Sequence, residues 1–288
     1  MKCSLCASDH VKFWCFKNGH SVFRCDACKF LFAPVISAPT AEYYGEDYLH
    51  NSDGKGGYVN YELDKMPMRR TLTNILEKIQ FLGAGRRLLD AGTANGYFLD
   101  IAQEHRFLAE GFDINPIAVA DAVQRNRNVL CRDIIKNPYE AESFDVITAF
   151  DFFEHIPHNR LEELMRVLES ALVPGGMLIV ITVNAGSLWA RLFGKRWHTL
   201  LPPEHVSFFT KQNIALFFRK NGFRIHEIST IHKTFSLQYL FNILALWQGL
   251  TMWKKATRFL EKHPWLGTVS LRLYIGDNML VIAKKTKR

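Results

Sequence analysis

Residues 88–97 read LLDAGTANGY, and this stretch decides the fold. Leu88, Leu89 and Asp90 belong to RRLLDAG, a short apolar run of strand character that ends in a turn holding Gly92, Ala94 and Gly96. A glycine-rich turn after a buried strand brings backbone close to a ligand. A dinucleotide turn of the G-x-G-x-x-G type needs glycines at 92, 94 and 97, where this chain has Gly92, Ala94 and Tyr97. A tyrosine where the next helix must press on its strand counts against that reading. The spacing that fits is D-x-G-x-[GA]-x-G, carried by Asp90, Gly92, Ala94 and Gly96.

The pattern continues outward on both sides. A helix is expected over 68–82, closed by Gly83, and YFLDIAQEHR is the helix that follows the turn. LAEGFDI, NVLCRDI, FDVITAFD and VPGGMLIVITVN read as further strands, with PIAVADAVQRN and NRLEELMRVLESAL as the helices between them. TKQNIALFFRKNG, FRIHEIST and NMLVIAKK add a helix and two strands. Such alternation argues an α/β domain with a parallel sheet covered by helices. Right-handed crossovers then bring every strand-to-helix turn to one edge, where open sheets bind ligands. Asp113 ends the second strand, where a carboxylate can accept both hydroxyls of a ribose, and Asp133 ends the third, within reach of an adenine amino group.

Four of the six cysteines make one pattern, Cys3-x2-Cys6, then 18 residues, then Cys25-x2-Cys28. Two such knuckles supply the closed thiolate set of a structural zinc, and the segment between them is too short for a core of its own. Two disulfides are the alternative; the N-terminus has no apolar signal region, so a reducing, cytoplasmic setting is expected, which favours zinc. Cys131 stands alone in an apolar strand and is expected to be core. The chain divides into a ribbon at 1–40, a tyrosine-rich connecting or lid segment at 41–65, and a main domain at 66–288. Insertions are expected at about 185–210 and 233–268.

Charge is unevenly spread over the 288 residues. Residues 41–184 carry 14 Lys/Arg against 22 Asp/Glu, whereas residues 185–288 carry 17 against 4. A basic third suits an anionic partner (a phosphate-bearing substrate, nucleic acid or a membrane surface) unless it is merely solvated. Residues 234–253 are uncharged but broken by Ser, Gln, Asn and Thr, which is poor for spanning a bilayer. With the basic run after them they suit a buried cap over the substrate or an amphipathic element on an anionic membrane, the cap being preferred.

Five stretches in register, LLDAGTANGYFLDIA, AEGFDINP, the strand end at Asp133, FDVITAFDFFEHI and LVPGGMLIVITV, resemble class I S-adenosylmethionine-dependent methyltransferases. The resemblance covers residues 66 to about 230 and implies a Rossmann-like, seven-stranded sheet with S-adenosylmethionine as cofactor. It implies that Gly92 and Gly96 admit the methionine moiety, that Asp113 binds the ribose, and that Asp133 and Ile134 flank the adenine. Asp90, Thr93, Ile114 and Phe150 complete the expected cofactor set. Within the class, TAFDFFEHI is similar to the E-x-x-E-H-[VI] motif of ubiquinone-biosynthesis-type O-methyltransferases. MPMRR resembles the segment whose arginine meets the cofactor carboxylate, which points to Arg69, with Arg70 as alternate. A four-cysteine ribbon before a tyrosine-rich segment is similar to methyltransferases of polysaccharide and natural-product pathways. The ribbon departs from the plain ubiquinone enzymes, so a phenolic acceptor is not carried over.

Methyl transfer needs an acceptor held in line with the sulfonium and, for a hydroxyl, a base. His155 is the expected base. Asp151 and Glu154 either orient it or join it in holding a divalent cation such as Mg²⁺, unless Glu154 and His155 only lock the loop. His205, in the stretch WHTLLPPEHVSFFT, is the second candidate unless it only packs that loop. The expected activity is methylation of a small molecule or glycan, phosphate-bearing or lipid-linked, with oxygen preferred. The alternatives are an RNA methyltransferase that grips phosphates with ribbon and basic surface, and a non-catalytic cofactor-binding module. The stretch DFFE stands where a base-methylating enzyme would carry N-P-P-Y, which disfavours RNA.

Overall fold

The structure, a computed structural model, describes residues 1–34, 62, 65–231, 234–238, 241, 251–267, 269–272 and 276–286. Of the tyrosine-rich segment 41–65, only Glu62 and Lys65 are therefore described, and 242–250 of the aromatic segment also lies outside. The chain opens with β1 (Val11–Lys17), β2 (His20–Cys25) and β3 (Leu31–Phe32). The expected alternation follows: α1 (Arg69–Phe81), β4 (Arg87–Ala91), α2 (Tyr97–Glu104), β5 (Leu108–Asp113), α3 (Pro116–Gln124), β6 (Val129–Cys131), β7 (Phe144–Phe150), α4 (Leu161–Ala171) and β8 (Leu172–Val183). The remainder holds α5 (Leu188–Phe193), β9 (Ser207–Phe208), α6 (Lys211–Lys220), β10 (Phe223–Ile231), β11 (Thr234–Ser236), α7 (Thr251–Lys262), β12 (Ser270–Arg272) and β13 (Asn278–Lys285).

Local chemistry sets these boundaries. The Asn115 side chain accepts the amides of Ile117 and Ala118 while Pro116 presets the first turn, so α3 starts there. Thr210 and Asn213 form a reciprocal capping box that starts α6. The third strand is shorter than the sequence suggests, because the Asp133 carboxylate accepts the Ile135 amide at 3.1 Å and turns the chain.

Seven strands form one sheet in the order β10-β13-β8-β7-β4-β5-β6. Strands β8, β7, β4, β5 and β6 run parallel, and β13 inserts antiparallel between β8 and β10. Alternate residues serve opposite faces, as strand pleating requires. Leu89, Val180 and Val281 pack with α4 and α6, whereas Leu88, Ile179 and Ile282 pack with α1 and α2. Cys131 departs from expectation. Its strand is the sheet edge, and the thiol is exposed.

The four cysteines fold as a hairpin whose small sheet, β1-β2-β3-β9, is completed by a strand from the insertion at 185–210. Cys3, Leu5, Cys25, Phe30 and Phe32 are buried in the same apolar cluster as Phe153, Phe209 and Phe217. The ribbon is thus packed onto the main sheet's α4–α6 side. In α7, Leu260 is buried but Met252 and Phe259 are 58% and 54% exposed, so its described part is an amphipathic surface helix rather than a buried cap. No helix among the described residues is long and apolar enough to cross a membrane.

Candidate active site

Strand β4 pairs with β5 on one side and β7 on the other, so chain order reverses there and a crevice opens at the carboxyl ends. The turn 92–96 lies on one bank. Ala94 donates its amide to one Asp113 oxygen at 2.8 Å, and Asn115 donates to the other at 2.9 Å. Those bonds fix the carboxylate's orientation and leave further lone pairs for ribose hydroxyls. Burial pushes the Asp113 carboxyl above its ordinary range, offset by these amides. Beside it Ile114 is 40% exposed.

The glycines act through packing. Gly92 sits at φ +69°, and a Cβ there would run into the Phe152 ring; Gly96 sits at φ +76°, against Arg127 and Val129. Ala94 also holds a left-handed conformation, at φ +50°, in the place where a third glycine would be free of strain. Thr93 is buried against Gly111, where a Cβ would come within 2.6 Å of its methyl group. Asp90 is buried too, accepts the Thr148 hydroxyl at 2.6 Å, and is pushed up to about 6 by burial. It ties β4 to β7 at the floor of the crevice.

The remaining cofactor candidates are spread around this cradle. Asp133 caps its own turn and lies 3.7 Å from Arg160, with Ile134 buried behind it. Phe150 packs edge-on to Phe98, at 4.9 Å between centroids. Arg69, expected at the cofactor carboxylate, pairs with Glu104 on α2.

The other bank is the exit of β7. Asp151, at φ +52°, pairs with Lys65 at 3.2 Å. Glu154 is buried and accepts the Thr182 hydroxyl from β8 at 2.8 Å. The His155 ring meets the Glu204 carbonyl through Nδ1 at 2.9 Å, and the His205 ring meets the Thr199 carbonyl through Nδ1 at 2.9 Å. A carbonyl only accepts, so both rings donate from Nδ1, and a ring that is neutral in this arrangement carries its basic lone pair on Nε2. The two rings are 5.0 Å apart. Burial, reinforced by the neighbouring His205, lowers His155 to about 4, so it is neutral at pH 7. Glu154, His155 and His205 offer ligand atoms within 4.8 Å of one another; Asp151 is not in that group.

At the ribbon tip all four cysteine sulfurs lie within 4.8 Å of one another, with Cys3 to Cys28 and Cys6 to Cys25 both at 3.6 Å and no disulfide. A tetrahedral Zn–S bond of about 2.3 Å implies sulfurs about 3.8 Å apart, so the cluster fits a site of four thiolates.

Sequence reading missed Lys65, Thr148, Phe152, Thr182 and Arg127. Arg127 grips the turn through the Asn95 carbonyl at 2.9 Å and Asp100 at 2.6 Å. Thr148, Phe152 and Thr182 sit inside motifs already noted, so proximity could have nominated them. Lys65 and Arg127 carry no local signal.

A seven-stranded sheet of this order, with its crevice bounded by an acidic strand end and a turn without a phosphate-binding lysine, defines a class I S-adenosylmethionine-dependent methyltransferase. The methyltransferase-domain profile matches residues 64–228, and the chain belongs to that family. A ubiquinone biosynthesis O-methyltransferase of Coxiella burnetii (strain RSA 331) is 24% identical over 160 residues, covering 51% of this chain and 68% of that one. Its namesake from Marinobacter nauticus is 28% identical over 130 residues, covering 42% and 52%. Among solved structures, the [4+2]-cyclase SpnF has a TM-score of 0.52 at 21% identity, covering 83% of this chain and 86% of that one. Magnesium protoporphyrin IX methyltransferase from Synechocystis, solved with bound SAH, also gives 0.52, at 16% identity, covering 85% and 97%. At these identities the structural likeness speaks for the fold alone.

Proposed function

We propose that this methyltransferase acts on a hydroxyl of a small-molecule or glycan acceptor, with His155 or His205 as the base. The observation that carries the reading is the pair of rings at the β7 exit, each fixed through Nδ1, which in a neutral imidazole puts the basic lone pair on Nε2. The names of the curated relatives, O-methyltransferases of ubiquinone biosynthesis, point to the same chemistry. S-adenosylmethionine, when bound, supplies an electrophilic methyl group on a good leaving group. Asp113 would hold its ribose, the turn 92–96 its methionine end, and Ile114 with Asp133 and Ile134 its adenine. The protein's own work is to align the acceptor and take its proton. Two imidazoles beside one buried carboxylate are poor magnesium donors, so the reading assigns Mg²⁺ no part.

We further propose that one zinc ion is held by Cys3, Cys6, Cys25 and Cys28 as a structural site. Three of the ribbon's five cations are engaged at Asp26, which supports a small acceptor over RNA: Lys12 and Arg24 pair with its carboxylate, at 2.8 and 3.1 Å, and Lys29 reaches its carbonyl. On α5, Leu188 and Leu192 are 76% and 70% exposed beside Arg191, Lys195 and Arg196. That pairing of apolar and basic groups suits a lipid-linked acceptor on an anionic surface.

Incubation with labelled S-adenosylmethionine and pools of phenolic, glycan and lipid-linked acceptors tests the activity. Label in a small-molecule or lipid fraction is expected. Tight cofactor binding with no transfer to any pool would overturn the reading, and salt-sensitive transfer to RNA would replace it.

A further inference from the structure

The ribbon and the two histidines share one piece of backbone. On the ribbon side, Leu31 and Phe32 pair with Phe208 and Ser207, and the Ala33 amide donates to the Val206 carbonyl at 2.9 Å. On the opposite side the same short segment holds the β7 exit. The Val206 amide donates to the Glu154 carbonyl at 2.7 Å, the Ser207 hydroxyl donates to the Ile156 carbonyl at 2.7 Å, and the Glu204 carbonyl accepts from His155. Rings repeat the connection: Phe32 lies 4.2 Å from the His158 ring, and Phe30 lies 5.2 Å from Phe209. Asn213, at the start of α6, donates to the Cys28 carbonyl at 3.1 Å. The cofactor turn is fixed by other groups, namely Phe112, Asp113 and Arg127.

We propose that the four-cysteine ribbon is a positioning element for the acceptor half of the site, setting the rings of His155 and His205 through residues 31–33 and 204–208. The inference rests on the zinc and base assignments above. A hairpin this small depends on its metal for folding. When it melts, β9 loses β3, the Ala33–Val206 bond goes, and Leu200, buried with Cys15, Val22 and Leu31, loses its packing. The Glu204 carbonyl that fixes His155 and the Thr199 carbonyl that fixes His205 then both lose support. The turn 92–96 and Asp113 keep their own bonds, so cofactor binding survives.

The test uses the full chain with its histidine ring nitrogens labelled and observed by NMR, the signals assigned with His155→Gln and His205→Gln. Elemental analysis first measures bound zinc, a result that belongs to the zinc assignment alone. A strong chelator then removes the metal. Both rings are expected to lose the fixed Nδ1–H signature while S-adenosylmethionine affinity by calorimetry stays within about twofold. Unchanged ring signals in protein shown to be zinc-free would overturn the proposal, as would a tenfold or greater loss of cofactor affinity. If the protein carries no zinc, Ser207→Ala decides: a shifted His155 signature with intact cofactor affinity supports the link, and an unmoved signature refutes it.

Discussion

The two banks of the crevice are built differently. The cofactor bank is made largely from one stretch of chain, the turn 92–96 locked to the end of β5 and to Arg127 by bonds spanning 19 and 32 residues. The acceptor bank is assembled from the ribbon, the β7 exit and the 197–210 loop, joined by contacts such as Ser207 to Ile156 and Asn213 to Cys28. A local bank is specified by a motif; an assembled bank depends on the docking of separate pieces. The first suits a cofactor common to a whole class, and the second can vary with the acceptor.

The largest expected effect separates the banks by kinetics. His155→Ala is expected to lower turnover about 10²- to 10⁴-fold while cofactor affinity by calorimetry stays nearly unchanged. His205→Ala is the matched control, and dialysis against EDTA under conditions that retain the zinc is expected to leave activity intact. Activity that fell with EDTA and returned with Mg²⁺ would replace the base by a metal.

Next, the banks should respond to acid with opposite sign. Burial holds His155 at about 4, so the native state refuses a proton that the unfolded chain takes up below pH 6.5. That contribution is complete above pH 6.5 and lost as pH falls towards 4, roughly 3 kcal/mol over the window. Half-buried His158 and His198 move in the same direction, through loss of water around the charged form. Asp90, pushed up to about 6, keeps a proton the unfolded chain releases. Its contribution is present at low pH and lost as pH rises from about 4 to 6, again roughly 3 kcal/mol. Urea unfolding of His155→Gln should show less loss on acidification than the parent, and Asp90→Asn should gain most at pH 7. Parallel pH profiles for the parent and both variants would remove the distinction.

Asp113→Ala should weaken S-adenosylmethionine by roughly 1.5–3 kcal/mol, the scale for a hydrogen bond to a charged group, with turnover at saturating cofactor little changed. Calorimetry giving unaltered affinity would mean that the carboxylate only braces the turn. The smallest effect sharpens the local picture: Ala94→Gly should relieve left-handed strain and stabilise the protein by about 1 kcal/mol, read from the urea midpoint.

Where sequence reading went short, the cause was the same each time. The motif around Arg69 says nothing of Glu104, which reaches it because α1 and α2 pack side by side. Gly92 reads as a place of close approach to a ligand, and the Phe152 ring that also needs its bare Cα follows a different strand. Cys131 reads as core because VLC is apolar, yet β6 is an edge. Each of these depends on which distant element becomes a neighbour.

The sequence by itself determined the order and kind of elements, the cofactor turn and the two cysteine knuckles. All are short-range: strand alternation, turn geometry and ligand spacing are written within a dozen or so residues. Only the tertiary structure decided that β9 would complete the ribbon's sheet and that Glu204 and Thr199 would fix the two imidazoles. Those contacts join segments whose own propensities say nothing of each other. They form because burying Phe30, Phe32, Phe153 and Phe209 in one cluster removes apolar surface from water, and backbone groups carried into that cluster must find partners there.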